Sequence, residues 1–486
     1  MRHNPLYIDL FAGCGGLSLG LQAAGFSRLL SVEKSPMAAE TYYHNFISQL
    51  KNEQEWQAYL EKDLLAQTKA GLVVNELESV LKSRDVMKYL QGFEVDLIAG
   101  GPPCQGFSLA GRRNPEDVRN KLPWQFLELV EKLNPKAVII ENVAGIGQDF
   151  KKHNTSSPFQ QLRLALENTG PKGYTVQPVL LNAMFFGVAQ HRPRMMLLAM
   201  RKDLAEANNI SATSFTWDCK QYVELKYVRE EMLPLHLEKP QLVPAVSHYG
   251  SNIYNVAAAL EGLPDNKLPQ KNVKGAQYLQ QLDALGKYLK GNGQPDQPKN
   301  HTLRKHQDWV AQRFRFYQLM SAKGIDTKIL NLAGKYRKEE SGFDSYSEAA
   351  KPYLVGILFP LAVPGNELVI ESKKKLLKLA WELATKKHSQ RPLKWTEPSP
   401  TVVSIPDDFV HPSAPRTLTV RELARFQSFP DNFEFRSKET TGGLRRRIDV
   451  PQYTQVGNAV PPLLGKAVGD TLIKFLKAGK SSIATG

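Results

Sequence analysis

The chain has 486 residues, 42% of them apolar, 23% charged and 9% aromatic, the composition of an ordinary globular protein, which excludes bulk disorder and collagen-like repeats. Lys and Arg number 63 against 48 Asp and Glu, a net charge of +15 that points to a polyanionic partner. No run of about 18 apolar residues occurs and residues 1–10 hold no apolar leader, so the sequence predicts no membrane span, no secretory signal and a cytoplasmic protein. Cys14, Cys104 and Cys219 stand far apart without C-x-x-C spacing, which argues against a disulfide framework and against a metal site.

In chain order, short β-branched or apolar runs alternate with helical patterns over the first two hundred residues: Leu6 to Phe11, Arg28 to Glu33, Val95 to Ala99, Ala137 to Glu141, Thr175 to Leu181 and Arg194 to Met200. This alternation predicts an α/β fold with a doubly wound sheet. Residues 50–92 carry helical spacing and read as a helical crossover or insertion. After about residue 202 the alternation fades and Pro and Gly punctuate residues 232–300, which places a domain boundary in this region. Residues 301–395 hold 18 basic and 9 acidic side chains, the profile of a module that handles phosphates; the alternative for Lys373, Lys374, Lys375 and Lys378 is a solvated helix face. Regular patterning resumes near Pro398 and closes with a helix predicted over residues 461–477.

The first strand runs into Ala12-Gly13-Cys14-Gly15-Gly16-Leu17, a tight loop that lets backbone approach a ligand closely. Glu33, at the end of the second strand, is placed to accept bonds from two ribose hydroxyls. The glycine spacing departs from G-x-G-x-x-G, so a ligand with a ribose and no pyrophosphate, such as S-adenosylmethionine, fits better than a dinucleotide. After the third strand, Gly101-Pro102-Pro103-Cys104-Gln105-Gly106-Phe107-Ser108 puts a thiol at the carboxyl edge of the sheet, where open α/β folds bind ligands; the alternative is a structural thiol. Glu141 stands at another strand end, and Gln190-His191-Arg192-Pro193-Arg194 offers guanidinium groups for a planar substrate.

These blocks, with Asp9-Leu10-Phe11, Glu141-Asn142-Val143, Arg421-Glu422-Leu423-Ala424-Arg425-Phe426-Gln427-Ser428-Phe429-Pro430-Asp431 and Gln455-Val456-Gly457-Asn458-Ala459-Val460-Pro461-Pro462, resemble in content and order the motifs of the DNA (cytosine-5)-methyltransferase family. The resemblance covers about residues 5–200 and 396–475. It implies a Rossmann-like S-adenosylmethionine-dependent methyltransferase domain with a second, smaller target-recognition domain. The implied division is 1–202 for catalysis and cofactor, 203–395 for the connection and target recognition, and 396–486 for the return to the catalytic domain.

By the same resemblance Cys104 is the nucleophile that adds to cytosine C6, Glu141 the acid at N3, and Arg194, with Arg192, the holder of the base at its O2 edge. The cofactor is then expected against Phe11, Gly13, Cys14, Gly15, Gly16, Leu17, Glu33, Asp63, Pro102 and Asn458. Asp63 has an alternative as a solvated helix acid. Double-stranded DNA is the implied substrate, with the target base flipped out of the helix. Gln105, Ser108, Arg112, Arg113, Arg313 and Arg315 are the candidate DNA contacts; for the aromatic segment Trp309 to Tyr317 and for Arg445 to Arg447, packing is the alternative. Arg421 and Glu422 read as an anchor between the domains. The rival readings are the same chemistry on transfer RNA, a non-catalytic DNA-binding protein on this fold, and a nicotinamide-dependent oxidoreductase. The implied setting is a bacterial restriction-modification system, with a cognate endonuclease acting separately.

Overall fold

In the computed structural model the described residues are 4–103, 121–147, 157–224, 241–264, 273–291, 297–339, 342–384, 390–443, 445 and 448–478. Eight strands form one sheet: β1 (Leu6–Leu10), β2 (Ser27–Val32), β3 (Leu72–Val73), β4 (Leu97–Gly100), β5 (Ala137–Val143), β6 (Tyr174–Asn182), β7 (Pro193–Arg201) and β8 (Trp217–Asp218), in the order β3-β2-β1-β4-β5-β7-β6-β8. Neighbours run parallel except β7, which is antiparallel to both β5 and β6. The chain leaves β1 in one direction and returns through β4 on its other side, so the sheet's switch point lies between β1 and β4, where a crevice opens beyond the strand ends.

Both faces of the sheet are covered, and the sequence alternation decides which residue goes to which face. Tyr7, Leu97, Ala99, Ala137, Ile139 and Leu198 join one buried cluster, whereas Ile8, Ile98, Val138, Ile140 and Leu197 join the other. Successive strand residues point to opposite sides, so an apolar run such as Ala137-Val138-Ile139-Ile140 serves two cores at once. The helix Pro462–Ala478 packs on the helix Gly16–Ala23, closing the last segment of the chain onto the first.

The six strands expected from the sequence are all present, with ends that differ by a few residues; β5 continues two residues past Glu141. β3 and β8 were not anticipated. β3 lies inside the stretch read as helical, and a two-residue strand carries no periodicity to find. That stretch otherwise forms the helices Glu53–Leu60, Leu64–Ala70, Leu77–Lys82 and Arg84–Gln91.

A third buried cluster gathers Phe314, Tyr317, Ile329, Tyr346, Leu376 and Leu383 with Val410. It is built from the helices Asp308–Ala322, Lys328–Lys338, Gly342–Ala350 and Lys373–Leu383. Leu242, Val243, Val256, Tyr278 and Leu285 instead belong to the large core beside the sheet, so side chains from 242–289 pack with the catalytic unit and only the region from about 308 builds a core of its own. Two short parallel strands, β9 (Arg391–Pro392) and β10 (Phe409–Val410), lie at the base of the helical unit. No helix among the described residues is long and apolar enough to cross a membrane.

Candidate active site

At the switch point, β1 is followed by Phe11, a non-glycine residue at φ 59°, and the chain turns through Gly13 at φ 56°. Both lie in the left-handed region, which glycine adopts without strain. A methyl group added to Gly13 would meet no atom within 4 Å, so the loop is open on its outer side. Beneath it, Glu33 accepts the Gly13 amide at 2.8 Å on one carboxylate oxygen and the Ser35 amide at 2.7 Å on the other. Burial raises the Glu33 carboxyl above its ordinary range, and the amides of Ser35 and Gly13 oppose that rise. A carboxylate offers about four lone-pair sites, so these amides do not exhaust its capacity to accept from a ribose hydroxyl. An open glycine loop over an acidic acceptor fits a nucleoside-type cofactor.

The other expected cofactor contacts divide. Cys14 turns its side chain inward, its thiol toward the Gln455 carbonyl at 3.7 Å, and burial pushes it up to about 12; only its backbone can face a ligand. Leu17 is buried in the large core. Asp63 is exposed and caps the helix Leu64–Ala70 by accepting the Ala66 amide at 2.7 Å, a local role that satisfies an orphan helix N–H. Asn458, at the end of the helix Gln452–Asn458, is exposed. Gln455, one turn earlier in that helix, fixes the segment: its amide donates to the carbonyls of Met37 and Val450 and accepts from Thr41 at 2.7 Å.

On the far side of the crevice, Glu141 and Arg194 form an ion pair, Nε to Oε1 at 2.8 Å. Gly101 lies against it, because a methyl group there would stand 2.7 Å from Glu141 Oε2. Asn142 donates to the Pro102 carbonyl at 2.8 Å and thereby ties β5 to the loop that leads to Cys104. Burial lowers the Arg194 guanidinium's proton affinity, and Glu141 opposes that effect. Cys104 and the expected DNA contacts Gln105, Ser108, Arg112 and Arg113 lie outside the described residues.

Arg192 does not join this pair. It is 1% exposed, and its guanidinium donates to the carbonyls of Val402 at 3.1 Å, Gly457 at 2.7 Å and Ala459 at 3.0 Å. A buried guanidinium with both terminal nitrogens bonded to backbone carbonyls is a structural pin, so the expectation that it holds the substrate is corrected. Arg313 is buried, with its guanidinium over the Trp309 ring at 5.0 Å, a placement that does not present it to DNA. Arg315 pairs with Glu367 at 3.2 Å. Phe314, Phe316 and Tyr317 pack into the helical unit's core, the alternative reading of that segment.

Arg421 and Glu422 are architecture, although not as partners of each other. Arg421 donates to the carbonyls of Lys299, Pro430 and Phe433, and Glu422 takes a two-pronged bond from Arg416 at 2.8 Å on each oxygen while closing a capping box with Thr419. Sequence reasoning also passed over a buried chain under the glycine loop. Ser18 Oγ donates to Asp9 Oδ2 at 2.6 Å and lies 2.8 Å from Tyr42 Oη, which lies 2.6 Å from Ser31 Oγ. An acid in the middle of the apolar strand Leu6–Leu10 was the available signal.

Among known proteins, the C-5 cytosine-specific DNA methylase family profile matches residues 6–474. The chain is 27% identical over 466 residues to the type II methyltransferase M.DdeI of Desulfomicrobium norvegicum, covering 96% of this chain and 88% of that protein. It is 28% identical to the type II methyltransferase M.AgeI of Thalassovita gelatinovora, covering 96% and 98%. A solved prophage-encoded Escherichia coli chain, described as a candidate DNA modification methyltransferase, shares the fold at a TM-score of 0.54 and 21% identity, covering 97% of this chain and 99% of that one. A match that spans the sheet, the glycine loop, the Glu141 strand and the returning C-terminal helices leaves one assignment: the chain belongs to the C-5 cytosine-specific DNA methylase family.

Proposed function

We propose that the protein methylates C5 of a cytosine flipped out of a specific double-stranded DNA sequence, with S-adenosylmethionine as donor, as a type II enzyme of a restriction-modification system. The observation that carries this reading is the Glu141–Arg194 pair at 2.8 Å, set beside Gly101 and Pro102 on the path to Cys104, across the switch point from the open Gly13 loop and Glu33.

Cytosine C5 is a weak nucleophile and must be activated before it accepts a methyl group. The Cys104 thiolate forms a bond to C6, and the displaced electron pair moves through the ring to N3. Glu141 in its protonated form, still accepting from Arg194 on Oε1, gives N3 a proton and removes the charge that would collect there. Arg194, held by Glu141 and by its bond to the Pro193 carbonyl at 2.8 Å, turns its remaining donors to O2. When bound, S-adenosylmethionine would supply the methyl group that C5 takes up, its sulfonium leaving as the neutral thioether of S-adenosylhomocysteine. Loss of the C5 proton to a base and breakage of the Cys104–C6 bond restore the aromatic ring, and Glu141 recovers the N3 proton. Phe11, the Gly13 loop and Glu33 hold adenine and ribose, and Arg192 and Gln455 keep the C-terminal segment beside them.

Expression in cells that lack cytosine methylation, followed by single-base mapping of 5-methylcytosine, tests the reading. One short sequence methylated throughout is the expected result. Unmarked DNA in cells holding folded protein that binds S-adenosylmethionine would overturn it.

A further inference from the structure

A cavity of about 640 Å³ opens between the catalytic unit and the helical unit, lined by His191, Thr401, Gln390, Arg391, Asp408 and Thr327 among others. Its catalytic wall is continuous with the Arg194 strand. His191 donates its amide to the Ser399 carbonyl at 2.8 Å, and Thr401 donates its hydroxyl to the His191 carbonyl at 2.8 Å, so this wall is pinned three residues before Arg194. At about 3.3 Å per residue that separation is roughly 10 Å, about three steps of a DNA strand at 3.4 Å each. A DNA strand whose target base meets Arg194 therefore passes within a few nucleotides of the cavity.

The opposite wall is β9. The Arg391 amide donates to the Asp408 carbonyl at 3.1 Å and the Leu393 amide to the Val410 carbonyl at 3.0 Å, which mounts residue 391 on a paired strand. The Arg391 side chain is exposed and, among the described residues, forms no ion pair. Beside it Gln390, 7% exposed, donates its amide to the Asp407 carbonyl at 2.7 Å, while its Oε1 has no hydrogen-bond partner. The lining therefore mixes the Arg391 guanidinium, the His191 imidazole, the hydroxyls of Thr401 and Thr327 and the Asp408 carboxylate. A channel for phosphates alone would be uniformly basic; base edges present donors and acceptors in turn, and this lining does the same.

We infer that this cavity reads base edges flanking the target cytosine and that Arg391 is a specificity-determining residue whose guanidinium fork recognises a guanine through O6 and N7. The inference rests on the proposed DNA methylation. It moves sequence reading away from Arg313 and Arg315, which are buried or paired, to a strand at the junction of the two units. Arg is the side chain whose planar fork fits that acceptor pair, and a strand mount holds the fork in a fixed orientation.

The test maps 5-methylcytosine at single-base resolution in cells expressing the full-length wild type, Arg391→Ala and Arg391→Lys, with S-adenosylhomocysteine binding as the check that each variant is folded. The expected result is that both variants accept other bases at one G-containing position of the wild-type site, discrimination there falling roughly ten- to hundredfold, with the other positions unchanged. Lys should not rescue, because it keeps the charge and lacks the fork. Should a variant leave no marks, competition binding of the purified protein to the wild-type site and its single-base variants gives the same readout. An unaltered site in Arg391→Ala overturns the inference. So does a uniform loss across sequences that Lys restores, with the salt slope reduced by about one, the signature of a phosphate contact. A wild type that marks no DNA overturns the proposed function and this inference with it; a defined wild-type site kept by Arg391→Ala overturns the inference alone.

Discussion

Arg194 reaches Glu141 diagonally across an antiparallel ladder: Val143 faces Arg194 and Glu141 faces Met196, so the two charged residues sit two places apart on the same face of the sheet, within reach of long side chains. The antiparallel insertion of β7 is what makes this possible. A parallel neighbour of β5 would have carried the Gln190 to Arg194 block to the opposite edge of the sheet, away from the crevice.

Two arginines two residues apart should therefore fail in different ways. Arg194→Ala is expected to lower kcat by two orders of magnitude or more and to cost less stability than Arg192→Ala, since Glu141 can take up a proton once its partner is gone. Arg192→Ala removes three bonds to buried carbonyls, each worth roughly 1.5 to 3 kcal/mol when the donor is charged, and should lower stability by about 3 kcal/mol or more. Thermal melts beside single-turnover rates separate the two; equal destabilisation by both would contradict the assignment.

Glu141→Gln keeps the shape and removes the proton donor. The expected loss in the methyl-transfer rate is roughly 10²- to 10⁴-fold, with S-adenosylhomocysteine affinity unchanged. Cys104→Ala should abolish turnover altogether, and measurable methylation by that variant would remove the covalent route.

Glu33→Ala should weaken S-adenosylhomocysteine binding roughly ten- to hundredfold, because it deletes the carboxylate that orients the Gly13 amide and offers acceptors to the ribose. Calorimetric titration reads this directly. An unaltered dissociation constant would place the ribose elsewhere.

Burial raises the Asp9 carboxyl to about 7, with Ser18 opposing and Glu33 adding to the rise, from 3.8 as its ordinary value. Between about pH 4 and 7 the folded chain thus holds a proton that the unfolded chain has released. Stability from this group is complete below that window and falls as pH rises through it, by up to roughly 4 kcal/mol. Asp9→Asn keeps an acceptor for Ser18 and removes the titration, so its stability should vary less between pH 5 and 8 than the wild type's. Parallel stability curves for the two proteins would show that Asp9 is ionised throughout.

The cores were legible because burial on a two-sided sheet demands continuous apolar strands, and Ala137 to Ile140 or Leu97 to Ala99 show that demand directly. The Gly13 loop and Glu33 were legible for a similar reason: few residue types allow φ near +56° or accept two backbone amides, so local geometry constrains local sequence. Arg192, Arg194 and Arg313 were not separable in the same way. A guanidinium can donate to a carboxylate, to backbone carbonyls or to a substrate, and its neighbours in the chain do not say which acceptors the fold will bring to it.

What the sequence determined by itself was the set of local structures and reactive groups, because hydrophobic period, glycine φ and side-chain chemistry act over a few residues. What only the tertiary structure decided was who meets whom. The antiparallel entry of β7 joined Arg194 to Glu141, and the return of residues 402–459 consumed Arg192. The helical unit buried Arg313, and the pairing of β9 with β10 left Arg391 facing the cavity. Those outcomes depend on contacts between residues tens to hundreds of positions apart, whose free energy is set by desolvation and by the acceptors present at the destination.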